Sequence, residues 1–144
     1  METTVISNLI GIWSLKKYVV EIQSTGQKNY PMGMNPKCYA AFFETGKVMV
    51  TLTAERRMPA QNDSECASLM KTLVAYAGSY RVEGEEWVTT VDVAWNPEWV
   101  GTEQRRFFVI SGDDMNVTTA WRVMPNWQDM GMQRSILTFT RVGG

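Results

Sequence analysis

The fold is decided at Trp95-Asn96-Pro97-Glu98-Trp99-Val100-Gly101-Thr102-Glu103-Gln104-Arg105-Arg106-Phe107-Phe108. Two Trp residues flank an Asn-Pro turn, and a glycine then leads into a strand that begins with polar and charged residues and becomes fully apolar. Charged groups beside so much aromatic surface have two explanations. The arginines are solvated or paired at a tight corner between strands, or one of them points into a ligand cavity.

On both sides of this stretch the chain is rich in β-branched and aromatic residues, separated by glycine-containing turns. About eight strands are predicted. They are Gly11–Ile22, Cys38–Phe43, Lys47–Thr53, Ser79–Val82, Trp87–Trp95, Glu103–Ser111, Met115–Trp121 and Gln133–Val142. Their spacing of about ten residues favours an antiparallel meander, and closure into a barrel removes its exposed edges. We therefore predict an all-β, eight-stranded antiparallel barrel that forms one domain over residues 1–144.

One helix is predicted between the third and fourth strands, from Glu65 to Tyr76. Its apolar residues share one face at helical spacing: Cys66, Leu69, Met70, Leu73 and Tyr76 or Ala77. Ser64 is the predicted N-cap, and Gly78 is predicted to end the helix. Residues 1–8 suggest a short helical turn before the first strand.

Composition excludes several classes of function. The 144 residues carry 14 basic and 15 acidic side chains, which leaves no basic field for nucleic acid. The longest apolar runs are too short to cross a bilayer, and the acidic start does not resemble a signal peptide, so we expect a cytoplasmic protein. Cys38 and Cys66 are expected to be free thiols.

The sequence contains no histidine. This removes the commonest general base, the Ser-His and Cys-His nucleophile pairs and most zinc sites. The two cysteines are far apart, the carboxylates form no tight cluster, and no glycine-rich nucleotide-binding motif is present. We therefore expect neither a metal nor a cofactor, and acid-base chemistry is left to Asp, Glu, Tyr, Lys or Cys.

Several motifs carry a family resemblance. Gly11-x-Trp13 and the late Arg141 are similar to the closed end of lipocalin and calycin barrels, where a cation lies across a Trp ring. Tyr30-Pro31-Met32-Gly33, residues 76–84, and above all residues 96–106 resemble the bacterial and fungal lipocalin-like domain family, in the same order over residues 9–142. The resemblance implies a small calycin-type barrel with a central cavity. Family members often carry two histidines where this chain has Thr89-Thr90.

Strand parity places Gln104 and Arg106 on one face, and the family match favours that face as the inner one, with Arg105 outside. A buried arginine needs an acidic partner or a ligand anion. Asp92 on the preceding strand is the nearest acid in the sequence, and an Arg106–Asp92 salt bridge would be structural. The alternation of residues 87–95 points Asp92 away from the cavity, however, so this pairing requires a bulge.

Further site residues follow from alternation and from position near the Trp99 turn. The predicted ligand-binding residues are Gln104, Trp87, Thr89, Trp95, Trp99, Phe108, Tyr39 and Tyr76. The predicted catalytic residues are Arg106, Glu103 and Asp92. Glu103 is a candidate base if it is desolvated beside Trp99.

The family resemblance, since lipocalin-like domains of this type occur among biosynthetic proteins, implies together with these residues a cofactor-independent isomerase, cyclase or dehydratase of secondary metabolism that holds a polyketide-like or terpenoid-like substrate in the barrel. Arg106 and Gln104 would stabilise negative charge, and a carboxylate or tyrosine would move the proton. The alternative is a non-catalytic carrier of an apolar small molecule. A third reading is an interaction module whose interior is full. Exposed β surface and several tryptophans are also compatible with a homodimer.

Overall fold

Nine strands and two α-helices form the part of the chain that the computed structural model describes, which is residues 2–143, with side chains from residue 6 onward. Met1 and Gly144, which the predicted domain includes, lie outside the described residues. The elements are α1 (Glu2–Leu9), β1 (Gly11–Ile22), β2 (Lys28–Asn29), β3 (Lys37–Phe42), β4 (Lys47–Thr53), α2 (Asp63–Met70), β5 (Leu73–Glu83), β6 (Glu86–Ala94), β7 (Glu103–Ser111), β8 (Asp114–Thr119) and β9 (Gln133–Arg141). Short 3₁₀ helices lie at Pro97–Trp99 and Pro125–Met130.

The strands close into a barrel. Each barrel strand pairs antiparallel with its neighbour from β3 to β9, and β1 pairs with both β3 and β9. The two-residue β2 pairs only with the end of β1 and stands outside the ring of eight. The predicted eight-stranded antiparallel barrel is therefore confirmed. Within residues 2–143, no helix has the length and apolar character needed to cross a membrane.

The helix prediction is correct in place but wrong in extent. Helix α2 ends at Met70, and Leu73 already belongs to β5, which pairs with β4. The N-cap is Asn62, whose side chain accepts from the Glu65 amide at 2.9 Å, rather than Ser64. No residue of α2 is buried, so its apolar spacing does not build a core face.

Gly78 lies inside β5 and does not end a helix. A Cβ at this position would stand 1.9 Å from the carbonyl oxygen of Thr90 on β6. The register of β5 and β6 shifts between Ala77 and Gly78. The missing side chain thus permits a bulge where the two backbones approach closely.

One end of the barrel is closed. The Trp13 ring is fully buried, and the Arg141 guanidinium lies 4.2 Å from its centroid. Arg141 Nη2 donates to the Asn8 carbonyl at 2.9 Å, and Trp13 Nε1 donates to the Leu9 carbonyl at 2.9 Å. These bonds hold α1 across this end, so the predicted contact between Trp13 and Arg141 is confirmed.

The opposite end carries the longer loops, at residues 23–36, 54–72, 95–102 and 120–132. Met32 from the first loop is fully buried. Asn126 Nδ2 donates to the carbonyls of Met70, Lys71 and Leu73, which ties the last loop to the end of α2 and the start of β5. The remaining opening lies between residues 98–106 and 120–125.

Candidate functional site

Two adjacent spaces lie at the open end. We call the outer one the mouth pocket; its volume is about 410 Å³, within the range of small-molecule sites. It is lined by Glu98, Trp99, Thr102, Glu103, Gln104, Arg105, Arg106, Ala120, Arg122, Val123, Met124 and Pro125. The inner chamber, of about 40 Å³, is lined by Tyr18, Cys38, Val50, Leu52, Val74, Tyr76, Trp99, Arg106, Thr119, Arg122, Met124, Ser135 and Leu137.

The two spaces share Trp99, Arg106, Arg122 and Met124. The inner chamber has room for only a few water molecules or a small apolar group. A drug-sized ligand therefore fits the mouth pocket. It reaches the chamber only with a narrow extension or by displacing the shared side chains.

Arg106 is 7% exposed and faces the interior from β7, as predicted. Its Nη1 donates to the Arg105 carbonyl at 2.9 Å, and its guanidinium lies 5.7 Å from the Trp99 ring centroid. In the described part of the chain, no carboxylate lies within 4.0 Å of it. A buried cation held by a ring and a carbonyl retains donors for an incoming oxygen.

Arg122 is the second cation of the site, and the sequence analysis missed it. It follows β8 and pairs its backbone with Gln133, which turns its side chain inward. Its Nη2 donates to Ser135 Oγ at 3.2 Å, while Nε and Nη1 are buried with no partner within the described residues. Burial, followed by the positive charge of Arg106, lowers the pKa of Arg122 to about 10. No signal in the sequence indicated its direction, because it lies beyond the end of β8, where the alternation of a strand no longer applies.

Tyr18 brings a hydroxyl to the same place from β1. Its Oη lies 2.8 Å from Ser135 Oγ, so tyrosine, serine and Arg122 form one chain of hydrogen bonds. Burial raises the pKa of Tyr18, although the charge of Arg122 partly opposes the shift. The phenol is therefore protonated at neutral pH and acts as a donor rather than a base.

Several predicted binding residues do line the interior. Tyr76 and Trp99 are buried, and their ring centroids are 5.2 Å apart at the chamber wall. Trp87 and Phe108 lie deeper, with centroids 5.5 Å apart, and fill the closed half of the barrel together with Phe42. Thr89, on β6, is fully buried. Gln104 is half-buried, and its Nε2 donates to Thr102 Oγ1.

Other predicted residues face away from the chamber. Asp92 lies 3.8 Å from Lys47 on the outer surface, so the predicted pairing with Arg106 is wrong; the alternation of β6 holds through Val91 and carries Asp92 outward. Tyr39 is 59% exposed because its neighbour Cys38 takes the inward position. Trp95 packs edge-on against Trp99, with ring centroids 4.9 Å apart and an interplanar angle of 75°, and lines neither space.

Glu103 lies on the rim of the mouth pocket, outside the chamber. It pairs with Arg81 at 3.0 Å and with Arg105 at 3.7 Å. Arg105 also contacts Glu83 and Glu86, which confirms its predicted outward direction. The site thus combines two inward guanidiniums and a phenol, while both carboxylates predicted to be catalytic are paired with cations of the surface.

Comparison with known proteins agrees with this geometry. The sequence model described as the lipocalin-like domain matches residues 10–142, from the start of β1 to just beyond β9. A search of curated proteins gives no match. The match covers every strand that builds the barrel and every residue that lines the two spaces.

Proposed function

We propose, since this chain belongs to the lipocalin-like domain family, that its barrel binds an apolar small molecule and converts it without a cofactor, as an isomerase, cyclase or dehydratase. The observation that carries this proposal is a pair of guanidiniums that face the interior without an acidic partner within the described residues. Arg106 is buried, and Arg122 is half-buried, with its Nε and Nη1 atoms fully buried. Burying a cation unpaired is costly, so such a group is retained for a purpose.

The walls suit an apolar ligand body. Trp99, Tyr76, Val50, Leu52 and Leu137 supply hydrocarbon and aromatic surface around the guanidiniums. Pockets with mostly apolar walls and a few convergent polar groups are the usual sites for small organic molecules. We therefore propose that the apolar part of the ligand packs on Trp99 and Met124 while one oxygen points at Arg106.

The proposed chemistry is activation of that oxygen. A carbonyl that accepts hydrogen bonds from Arg106 and Arg122 loses electron density, and negative charge that develops on its oxygen in the transition state is stabilised. Tyr18 would deliver a proton, and Gln104 would orient the substrate at the mouth. Glu103 is retained as the proposed base for a proton released at the rim, whereas Asp92, on the outer face, could act only after a rearrangement.

A carrier without catalytic activity is the second candidate. It is favoured by the outward direction of Asp92 and by the ion pairs of Glu103, which leave the inner chamber without a carboxylate base in the described part of the chain. A carrier needs only the apolar walls and the cations.

Hydrogen exchange of a simple ketone separates the two candidates. Tetralone, an apolar bicyclic ketone, would be incubated with the protein in deuterated buffer, and deuterium uptake beside its carbonyl would be followed by nuclear magnetic resonance. We expect uptake above the buffer rate, and a fall of about 10- to 100-fold in Arg106→Gln. Binding of tetralone with uptake at the buffer rate would exclude the enzyme and leave the carrier.

We further propose a cytoplasmic location and a homodimer. The two cysteines are unpaired, as expected in a reducing compartment. The outer face of β4, β5 and β6 exposes apolar side chains that include Met49, Val93 and the edge of Trp95. Sedimentation of wild type and Val93→Glu tests the dimer, which the added charge is expected to weaken.

A further inference from the structure

Arg106 on β7 and Arg122, which follows β8, both line the mouth pocket and the inner chamber, so two like charges face the same spaces. Two guanidiniums repel each other and both lose hydration by burial. A neutral carbonyl oxygen relieves neither cost fully, because it brings hydrogen-bond acceptors but no charge.

Several N–H donors of the two guanidiniums have no acceptor in the described part of the chain. Arg122 has buried Nε and Nη1 groups without an acceptor in the described part of the chain. Each guanidinium donates one hydrogen bond within the protein: Arg122 to Ser135 Oγ and Arg106 to the Arg105 carbonyl. The remaining donors need several lone pairs, and a carboxylate offers about four on two oxygens together with a full negative charge.

The nearby acids do not fill this role. Glu98 and Glu103 line the rim of the mouth pocket, yet neither lies within 4.0 Å of Arg106 or Arg122. Glu103 is held by Arg81 and Arg105 on the outer side. The charge that would balance the two arginines must therefore arrive with the ligand.

We propose that Arg106 and Arg122 form a carboxylate-binding site, and that the ligand of this barrel is an apolar carboxylic acid bound as its anion rather than a neutral compound. The carboxylate would lie between the two guanidiniums, with the Ser135 and Tyr18 hydroxyls beside it, and the hydrocarbon part would pack on Trp99 and Met124. This assignment rests on the proposed binding function, and it narrows that function to one class of substrate.

Carboxylate is favoured over phosphate by the local backbone. Phosphate sites in proteins commonly use several backbone amides at a helix start or in a glycine-rich loop. The mouth pocket is lined by β7, by the segment after β8 and by residues of two short 3₁₀ helices, Pro97–Trp99 and Pro125–Met130, and each of these helices has a proline, which lacks an amide hydrogen, in its first turn. Two guanidiniums in an apolar wall match the small, planar carboxylate.

The test compares two ligands with the same hydrocarbon chain. The neutral dye N-phenylnaphthylamine would report occupation of the barrel by its fluorescence, and decanoate and decanol would compete with it. Wild type is expected to bind decanoate at least about tenfold more tightly than decanol, because each hydrogen bond to a charged group contributes strongly. In Arg106→Gln and Arg122→Gln the two ligands should compete within about twofold of each other.

Two variants control the result. Arg57→Gln removes the same charge from an exposed side chain that lines neither space and donates to Thr72 Oγ1 and the Leu69 carbonyl, and it should keep the full preference for decanoate. Arg122→Lys keeps the charge and should retain part of it. Melting curves confirm that each variant is folded before its binding is interpreted.

The outcomes separate this inference from the proposed function. If dye, decanol and decanoate all fail to bind wild type, the binding function is wrong and the carboxylate site falls with it. If decanol competes as well as decanoate in wild type, the barrel binds apolar molecules but the anion site is wrong. If inorganic phosphate alone displaces the dye at concentrations like those of decanoate, the site is a phosphate site instead.

Discussion

Replacing Arg122 by methionine should stabilise the ligand-free protein. In the folded state burial, and then the charge of Arg106, lowers the pKa of this guanidinium from its ordinary value to about 10. This fall corresponds to an electrostatic cost of about 3 kcal/mol for the charged side chain. Methionine keeps the apolar volume but loses the bond from Nη2 to Ser135 Oγ, which contributes about 1 kcal/mol. The expected net gain is about 2 kcal/mol in the free energy of unfolding.

The assay is urea denaturation at pH 7 followed by tryptophan fluorescence. The midpoint should rise with an unchanged slope, and thermal melting should shift upward by about 4 to 8 °C for a chain of this length. Because the folded-state pKa lies below that of the unfolded chain, the cost is complete at neutral pH and is relieved only as the pH rises through about 10. The gain should therefore be constant between about pH 6 and pH 9.

Arg134→Met is the matched control. This arginine pairs with Glu21 at 2.7 Å and lies 4.5 Å from the Trp121 ring centroid, so its charge has partners. Its loss should destabilise the protein by about 1 kcal/mol. The reasoning is refuted if Arg122→Met has the stability of wild type or less while Arg134→Met behaves as expected, because Arg122 would then be solvated or paired.

Three further outcomes follow from the packing. Gly78→Ala should lower the free energy of unfolding by about 3 kcal/mol in urea denaturation, because its Cβ would overlap the Thr90 carbonyl, and an unchanged stability would show that β5 and β6 can separate there. Burial raises the pKa of Cys38 to about 12, so only the exposed Cys66 should react with a disulfide reagent at pH 8, and a fast second equivalent in the folded protein would contradict the burial. Asn126→Ala should cost about 1 to 3 kcal/mol in thermal melting, because three carbonyls lose their shared donor, and a cost near zero would mean that water replaces the amide.

Much of the barrel was predictable because alternation is regular in strands such as β3, β4 and β7. In β7 every second side chain, at Gln104, Arg106 and Phe108, points inward. The apolar residues at the end of the strand indicate which face is the inner one, and this assigns the polar residues at its start as well. The closed end of the barrel was predictable for a different reason. Gly11-x-Trp13 and Arg141 carry a pattern that resembles a known family, which the structure confirms as a contact of 4.2 Å between the Trp13 ring and the guanidinium.

The extent of α2 was not predictable from spacing. Leu69, Leu73 and Tyr76 fit one face of a helix, yet Tyr76 also fits the inward row of a strand together with Val74. The pairing of β5 with β4 over seven residues settles the competition, and such pairing depends on residues far away in the chain. Local propensity therefore favoured the wrong element at this boundary.

Of the two arginines that define the site, the sequence predicted only Arg106. Arg106 stood in a recognisable strand, but Arg122 lies beyond β8, where no alternation indicates a direction. The prediction that Tyr39 lines the cavity was wrong. Its aromatic character favoured the interior, but the neighbouring Cys38 occupies the inward position. Loop residues at the end of a barrel are positioned by backbone bridges such as that between Arg122 and Gln133, which the sequence does not reveal.

The pairing of β1 with β9 has a consequence for how the protein is made. During synthesis β1 must wait for β9, which is made more than 100 residues later, because nine residue pairs join the two strands. Until then the nascent sheet has two open edges and no sealed interior, and contacts over such sequence distances form slowly. During synthesis the incomplete sheet should therefore be prone to aggregation. We expect the yield of folded protein in cells to depend on chaperones even if the finished barrel is stable.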